Sequence, residues 1–234
     1  GTMQLLAPVP SPFALVRDAD ALYVGSTTGA VGRVSTNGGA HQAVYQSDPE
    51  QAVLALAVGD QHVYVALQGT EANDYEDGSV VEIAKQAPHA AVVLASAQHH
   101  PPSLGFGGGK PHWPNIGDNE SPDGSVMRID PDAPGALPET LASGLVNTRG
   151  VAWHAKGLYF VHGGTGSGPG DPCVSGDAGL GAGKLERVDA TGALTTFAVD
   201  QHTPSVVHVG AGAVYWSDLA CGIGGSGLIC RIVP

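Results

Sequence analysis

Short runs of apolar and aromatic residues alternate with turns rich in Gly, Pro and Asp along the whole chain, and no segment sustains a helical period. The runs recur as five related copies. They read ALYVGSTTGAVGRV from Ala21, HVYVALQGTEANDYEDGSVVEI from His62, KPHWPNIGDNESPDGSVMRI from Lys110, GLYFVHGG with GKLERV from Gly157, and AVYWSDLACGIGGSGLICRI from Ala213. Each copy holds a strand-like run, a loop, a Gly and a second short run that usually ends in Arg and an aliphatic residue. The anchor positions Tyr23, Tyr64, His112, Tyr159 and Tyr215 lie roughly 41, 48, 47 and 56 residues apart, a period that suits four-stranded repeats packed on one another. Four copies are followed by a further strand-like run, from Ala40, Ala90, Pro138 and Ala193.

A repeat of this size cannot bury both faces of its own sheet and must pack on its neighbours. The expected fold is therefore all-β, a five-bladed β-propeller in one domain over 1–234. Its blades are expected at about 13–48, 52–98, 103–145, 150–200 and 205–234. The last copy lacks a fourth run, and MQLLAPV from Met3 to Val9 is expected to supply it, so that the N-terminal strand closes the last blade. The competing architecture is an open β-sandwich.

In a propeller the loops sort onto two faces. Those at Asp18, Gly59, His154 and Gly210 are short. Those over Gln68–Asp77, Asn115–Asp123, His162–Ala182 and Asp218–Ser226 are long and irregular, which places function on their face. The connections between copies, QHHPPSL from Gln98, VNTRGV from Val146 and QHTPSVV from Gln201, put His100, Asn147 and His202 in one slot. Gln68, Asn115, His162 and Asp218 end second strands on the same face.

His100, His162 and His202 form a candidate metal site, with Zn²⁺ first and Ca²⁺ as the alternative, because imidazoles suit a transition metal. Asp218 is expected as fourth ligand or general base, and Glu120, in the acidic loop GDNESPDG, as a second candidate base. Gln68, Asn115, Asn147, Tyr75 and Trp113 are expected to line a substrate pocket. His99 is a substitute ligand for a register one residue off. The remaining histidines, His41, His62, His89, His112, His154 and His208, read as structural. Cys173 and Cys221 lie in long loops of one face and are expected to form a disulfide. That points to a periplasmic or extracellular setting; the competing reading is three unpaired thiols. Cys230, in a strand, reads as a small buried hydrophobe.

The net charge of −12 speaks against nucleic acid and anionic membranes as partners, and no apolar run is long enough to span a bilayer. The expected partner is a small-molecule substrate or ligand, met by a monomer. No Gly-x-Ser-x-Gly motif with matching His and acid is present, and no phosphate-loop or dinucleotide fingerprint.

The run Tyr215–Asp218 (YWSD), the run His112–Asn115 (HWPN) and the Gly-x-x-x-Arg-aliphatic strands resemble propellers of the YWTD, NHL and gluconolactonase-like types. Blade count and length are also similar to five-bladed lectins. The gluconolactonase-like and organophosphate-hydrolysing propellers hold Ca²⁺ with Glu, Asn and Asp at this place, and this chain departs from them by offering His. The resemblance implies a metal-dependent hydrolase of an ester, lactone or phosphotriester at the channel mouth. The alternative is a non-catalytic propeller that binds carbohydrate or protein.

Overall fold

The computed structural model describes residues 3–117, 121–133, 135–163, 183–201, 203–218 and 227–234. Among them the structure is all-β, with a single-turn 3-10 helix at Glu71–Asn73 and no α-helix. The chain divides into two compact units, Gly1–Pro111 with Pro131–Leu137, and His112–Asp130 with Pro138–Pro234.

The first unit holds two antiparallel four-stranded sheets. One is β1 (Pro12–Asp18), β2 (Ala21–Ser26), β3 (Ala30–Ser35) and β4 (Gln42–Gln46). The other is β5 (Val53–Val58), β6 (His62–Leu67), β7 (Gly78–Ala84) and β8 (Ala91–Gln98). Each runs in chain order, so every connection is a hairpin, which is why turn signals recur at strand spacing. β6 (HVYVAL) is buried on both faces except at His62, whereas β8 is mostly exposed. Inner strands of a stacked sheet need apolar residues at every position, and outer strands need them only at some. Val31, Val53, Val65, Val81 and Ile83 form the core between the two sheets. Full burial of each such side chain contributes about 1.5–3 kcal/mol.

The remaining strands are β9 (Gly105–Gly107), β10 (Lys110–Asn115), β11 (Gly124–Arg128), β12 (Glu139–His154), β13 (Gly157–Gly163), β14 (Gly183–Val188), β15 (Leu194–Gln201), β16 (Pro204–Gly210), β17 (Ala213–Asp218) and β18 (Leu228–Ile232). β9 to β15 make one curled seven-stranded sheet, and β16, β17 and β18 make a three-stranded one. The seven-stranded sheet exists because β12 serves twice. Residues 139–145 pair with β11 and residues 146–154 pair with β13. The connection expected at VNTRGV is thus not a loop; it is absorbed into a 16-residue strand. In the second unit Leu158 and Phe160 of β13 pack on Val126, Leu145 and Val188. Tyr159 and Val161 face the other way, onto Leu185, Val207 and Val214.

One expectation is corrected. Met3–Val9 forms no strand. Met3 and Leu5 are exposed, and the Leu6 carbonyl accepts a 3.2 Å bond from the Gly39 N–H, beyond the end of β3. Pro8 and Pro10 bring no N–H to a ladder, so this segment is poorly suited to pair along its length.

A shared irregularity appears where β1, β5, the second half of β12 and β16 meet the strand that follows them. The register shifts between Pro12 and Ala14 in β1, Val53 and Ala55 in β5, Val146 and Thr148 in β12, and Pro204 and Val207 in β16. In each case the earlier strand of the pair carries an extra residue near the start of the pairing. β12 has a second shift between Thr148 and Gly150.

Candidate functional site

The residues singled out by sequence fall in both units. Gln68, Tyr75 and His100 belong to the first unit, and Trp113, Asn115, Asn147, His162 and Asp218 to the second. Glu120, His202, Cys173 and Cys221 lie outside the described residues, and so does any disulfide between the two cysteines.

In the first unit the long loop after β6 is organised by its own side chains. Asp77 accepts from the Thr70 N–H at 2.6 Å, the Thr70 hydroxyl at 2.8 Å and Asn73 Nδ2 at 2.7 Å. These donors, the Thr70 amide foremost, hold the Asp77 carboxyl below the usual aspartate range. Asp74, at φ 50°, ends the 3-10 turn. Tyr75 follows at φ 61°, and its carbonyl accepts the His100 N–H at 3.0 Å. The rings of Tyr75 and His100 meet edge to face, 5.3 Å apart. The Gln68 N–H is used by the Ala52 carbonyl at 2.9 Å. An open cavity of ≈ 460 Å³ lies beside this loop, lined by Asn73, Asp74, Glu76, Asp77, Ser96 and Ala97.

In the second unit the corresponding polar groups face inward. Asp218, 2% exposed, accepts the Thr203 N–H at 2.7 Å and so ties the entry of β16 to the end of β17. Trp113 is fully buried, and its neighbour His112 stacks on Trp153 at 5.1 Å, so this run packs the interior. Asn115 Nδ2 donates a long 3.4 Å bond to Ser125. Cys230 is half-buried, and burial together with the Asp218 charge raises its thiol pKa.

His162 is buried at the end of β13. Its Nδ1 lies 2.8 Å from the Gly163 carbonyl, and its Nε2 lies 3.2 Å from Glu186 Oε2. A carbonyl only accepts, so Nδ1 carries a proton. The Thr196 hydroxyl donates to the other Glu186 oxygen at 2.8 Å. Both ring nitrogens of His162 thus have partners on β13 and β14, and His202, another member of the expected histidine triad, lies outside the described residues. Among the described residues no group of three or more His, Cys, Asp or Glu is arranged to hold a metal ion.

Sequence reading missed Glu186, Thr148 and Arg149. Glu186 lies in a run read as an ordinary strand. Thr148 is fully buried beside His162, and its hydroxyl finds no partner among the described residues. Arg149 occupies the second bulge of β12, and its Nε donates to Asn147 Oδ1 at 2.8 Å.

No protein-family model matches the chain, and no curated protein matches it by sequence. Solved structures do. The chain superposes on the luciferin-regenerating enzyme with a TM-score of 0.66 at 11% identity, over 97% of this chain and 80% of that one. It superposes on the tricorn protease with a TM-score of 0.66 at 10% identity, over 94% of this chain and 25% of that one. Both have propeller-type folds. The fold is propeller-like. Identities this low carry the likeness of fold and nothing about chemistry.

Proposed function

We propose that the chain is a five-bladed propeller that receives a small molecule at the end of its blades where the innermost strands begin, and that it hydrolyses an ester, lactone or phosphotriester there. The observation that carries this reading is the repeated extra residue at the start of four innermost strands. Bulges re-aim side chains and are over-represented beside active sites. Here each lies opposite the end of the next strand of its own sheet, at Ser26, Leu67, Gly163 and Asp218, where the connection to the third strand leaves. The luciferin-regenerating enzyme and the tricorn protease, named for catalytic activities, lend a hydrolase-type propeller some weight by analogy of fold.

In its metal-dependent form the reading keeps His100, His162 and His202 as ligands, with His162 exchanging its Glu186 contact for the metal. Asp218, clamped on the Thr203 amide, suits anchoring the entry to β16 better than acting as a general base. Without hydrolysis the same end serves a binding module for carbohydrate or protein.

The test is a panel of an activated acetate ester, an aromatic lactone and a phosphotriester, assayed with and without a chelator and with metal analysis of the purified chain. Turnover lost on chelation and in His100→Ala supports the metal-dependent hydrolase. Turnover that survives both supports hydrolysis without metal. No turnover on any substrate moves the reading to the binding module.

A further inference from the structure

The most unusual charge in the described residues is Arg149. The chain carries 22 Asp and Glu against 10 Lys and Arg, so a cation should easily find an anion. Other cations do find partners: Arg128 makes two bonds to Glu139, at 2.8 and 2.9 Å, Lys85 lies 2.8 Å from Asp18, and Arg187 stacks over Phe197. Arg149 is half-buried, yet its one side-chain partner among the described residues is the neutral Asn147 Oδ1. Removing a guanidinium from water without a counter-ion is costly. Burial accordingly lowers the pKa of Arg149 from its ordinary value, while leaving an arginine charged.

The backbone around it is built for this placement. Two one-residue shifts bracket Thr148, so Asn147 and Arg149 are both extra residues in the pairing with β13. Asn147 adopts φ 51°, a conformation L-residues rarely hold and Asn tolerates best. Gly163 leaves room for it, since a Cβ there would come 3.3 Å from the Asn147 Cβ. Gly150 lets β12 approach β16, because a Cβ would run into the Ser205 carbonyl. Asn147 uses its amide oxygen to fix Nε, which leaves the terminal nitrogens of the fork for an acceptor.

We propose that Arg149, oriented by Asn147, is an oxyanion-binding residue that takes a carboxylate or phosphoryl group of a small ligand. A planar guanidinium whose Nε is already fixed presents two parallel N–H donors, which match both groups bidentately. The proposal rests on the reading that ligands enter at the bulged ends of the innermost strands, and it gives the ligand's chemical class.

The test uses the full chain labelled with ¹⁵N, with the Arg149 Nε–Hε signal assigned from its loss in Arg149→Met. Inorganic phosphate and acetate are titrated separately, against chloride at equal ionic strength. The expected result is a saturable shift of that signal with at least one oxyanion and none with chloride; the stronger of the two separates the phosphoryl from the carboxylate source. Arg149→Lys, which keeps the charge without the fork, is expected to weaken binding about tenfold. Asn147→Ala, which frees Nε, should weaken it too, and it serves with the wild-type signal should Arg149→Met fail to fold. An unshifted Arg149 signal, or equal oxyanion affinity in Arg149→Met, overturns the proposal. Substrate turnover unchanged in Arg149→Met would reject this inference and leave the hydrolase reading standing. Arg149-dependent oxyanion binding with no turnover would do the reverse.

Discussion

Two carboxylates show how differently the two units use the same chemistry. Asp77 collects its donors from Thr70 and Asn73, within seven positions of itself in a surface loop. Glu186 has its partners in His162 and Thr196, 24 and 10 residues away on the strands that flank it, and is buried. A local carboxylate shapes a loop and keeps its charge near water. A non-local one ties strands together and depends on partners that only folding supplies. The lesson is that the long loop over Gln68–Asp77 is largely occupied with its own geometry. The buried carboxylate, Glu186, lies in a run that looked like an ordinary strand.

The sharpest way to break the comparison is at Glu186. Removing one partner of a buried pair strands the other, so Glu186→Leu and His162→Leu should each destabilise the chain by about 3 kcal/mol. The double variant should cost clearly less than the two together. Urea unfolding followed by tryptophan fluorescence measures this, and strict additivity would mean that the pair is not coupled.

A second non-local carboxylate should show a smaller cost. Asp218→Ala leaves the buried Thr203 amide without its acceptor, for a loss of about 2 kcal/mol. If the cost matches that of an exposed alanine substitution, the clamp at the entry to β16 contributes nothing.

The smallest effect belongs to Asp77, and pH reads it. Its folded pKa is lowered, first by the Thr70 amide. Its contribution to stability is therefore complete above the unfolded aspartate value of about 3.9 and is lost as pH falls through the lower folded value. Thermal unfolding between pH 5 and pH 2 should fall less steeply in Asp77→Asn than in the parent chain. Identical slopes would place the acid sensitivity elsewhere.

What the sequence by itself determined was local. Apolar runs of strand length, the Gly and Asp turns between them, and the anchors Tyr23, Tyr64 and Tyr159 all lie on strands with buried side chains, because alternation and turn chemistry act over a few residues. Met3–Val9 shows the limit of that reasoning: its apolar residues suggested a strand, but pairing needs a partner edge and donors that its prolines do not bring. The site residues were legible as polar types at strand ends, and their roles were not. His162 read as a ligand, and nothing in its own stretch of chain announced the contacts of its two nitrogens with the Gly163 carbonyl and Glu186. Arg149 read as part of a connection between copies until two bulges and Asn147 set it apart. Only the tertiary structure decided these, since a bulge is a mismatch between two strands and a buried charge is defined by what surrounds it. Neither quantity belongs to a single stretch of chain.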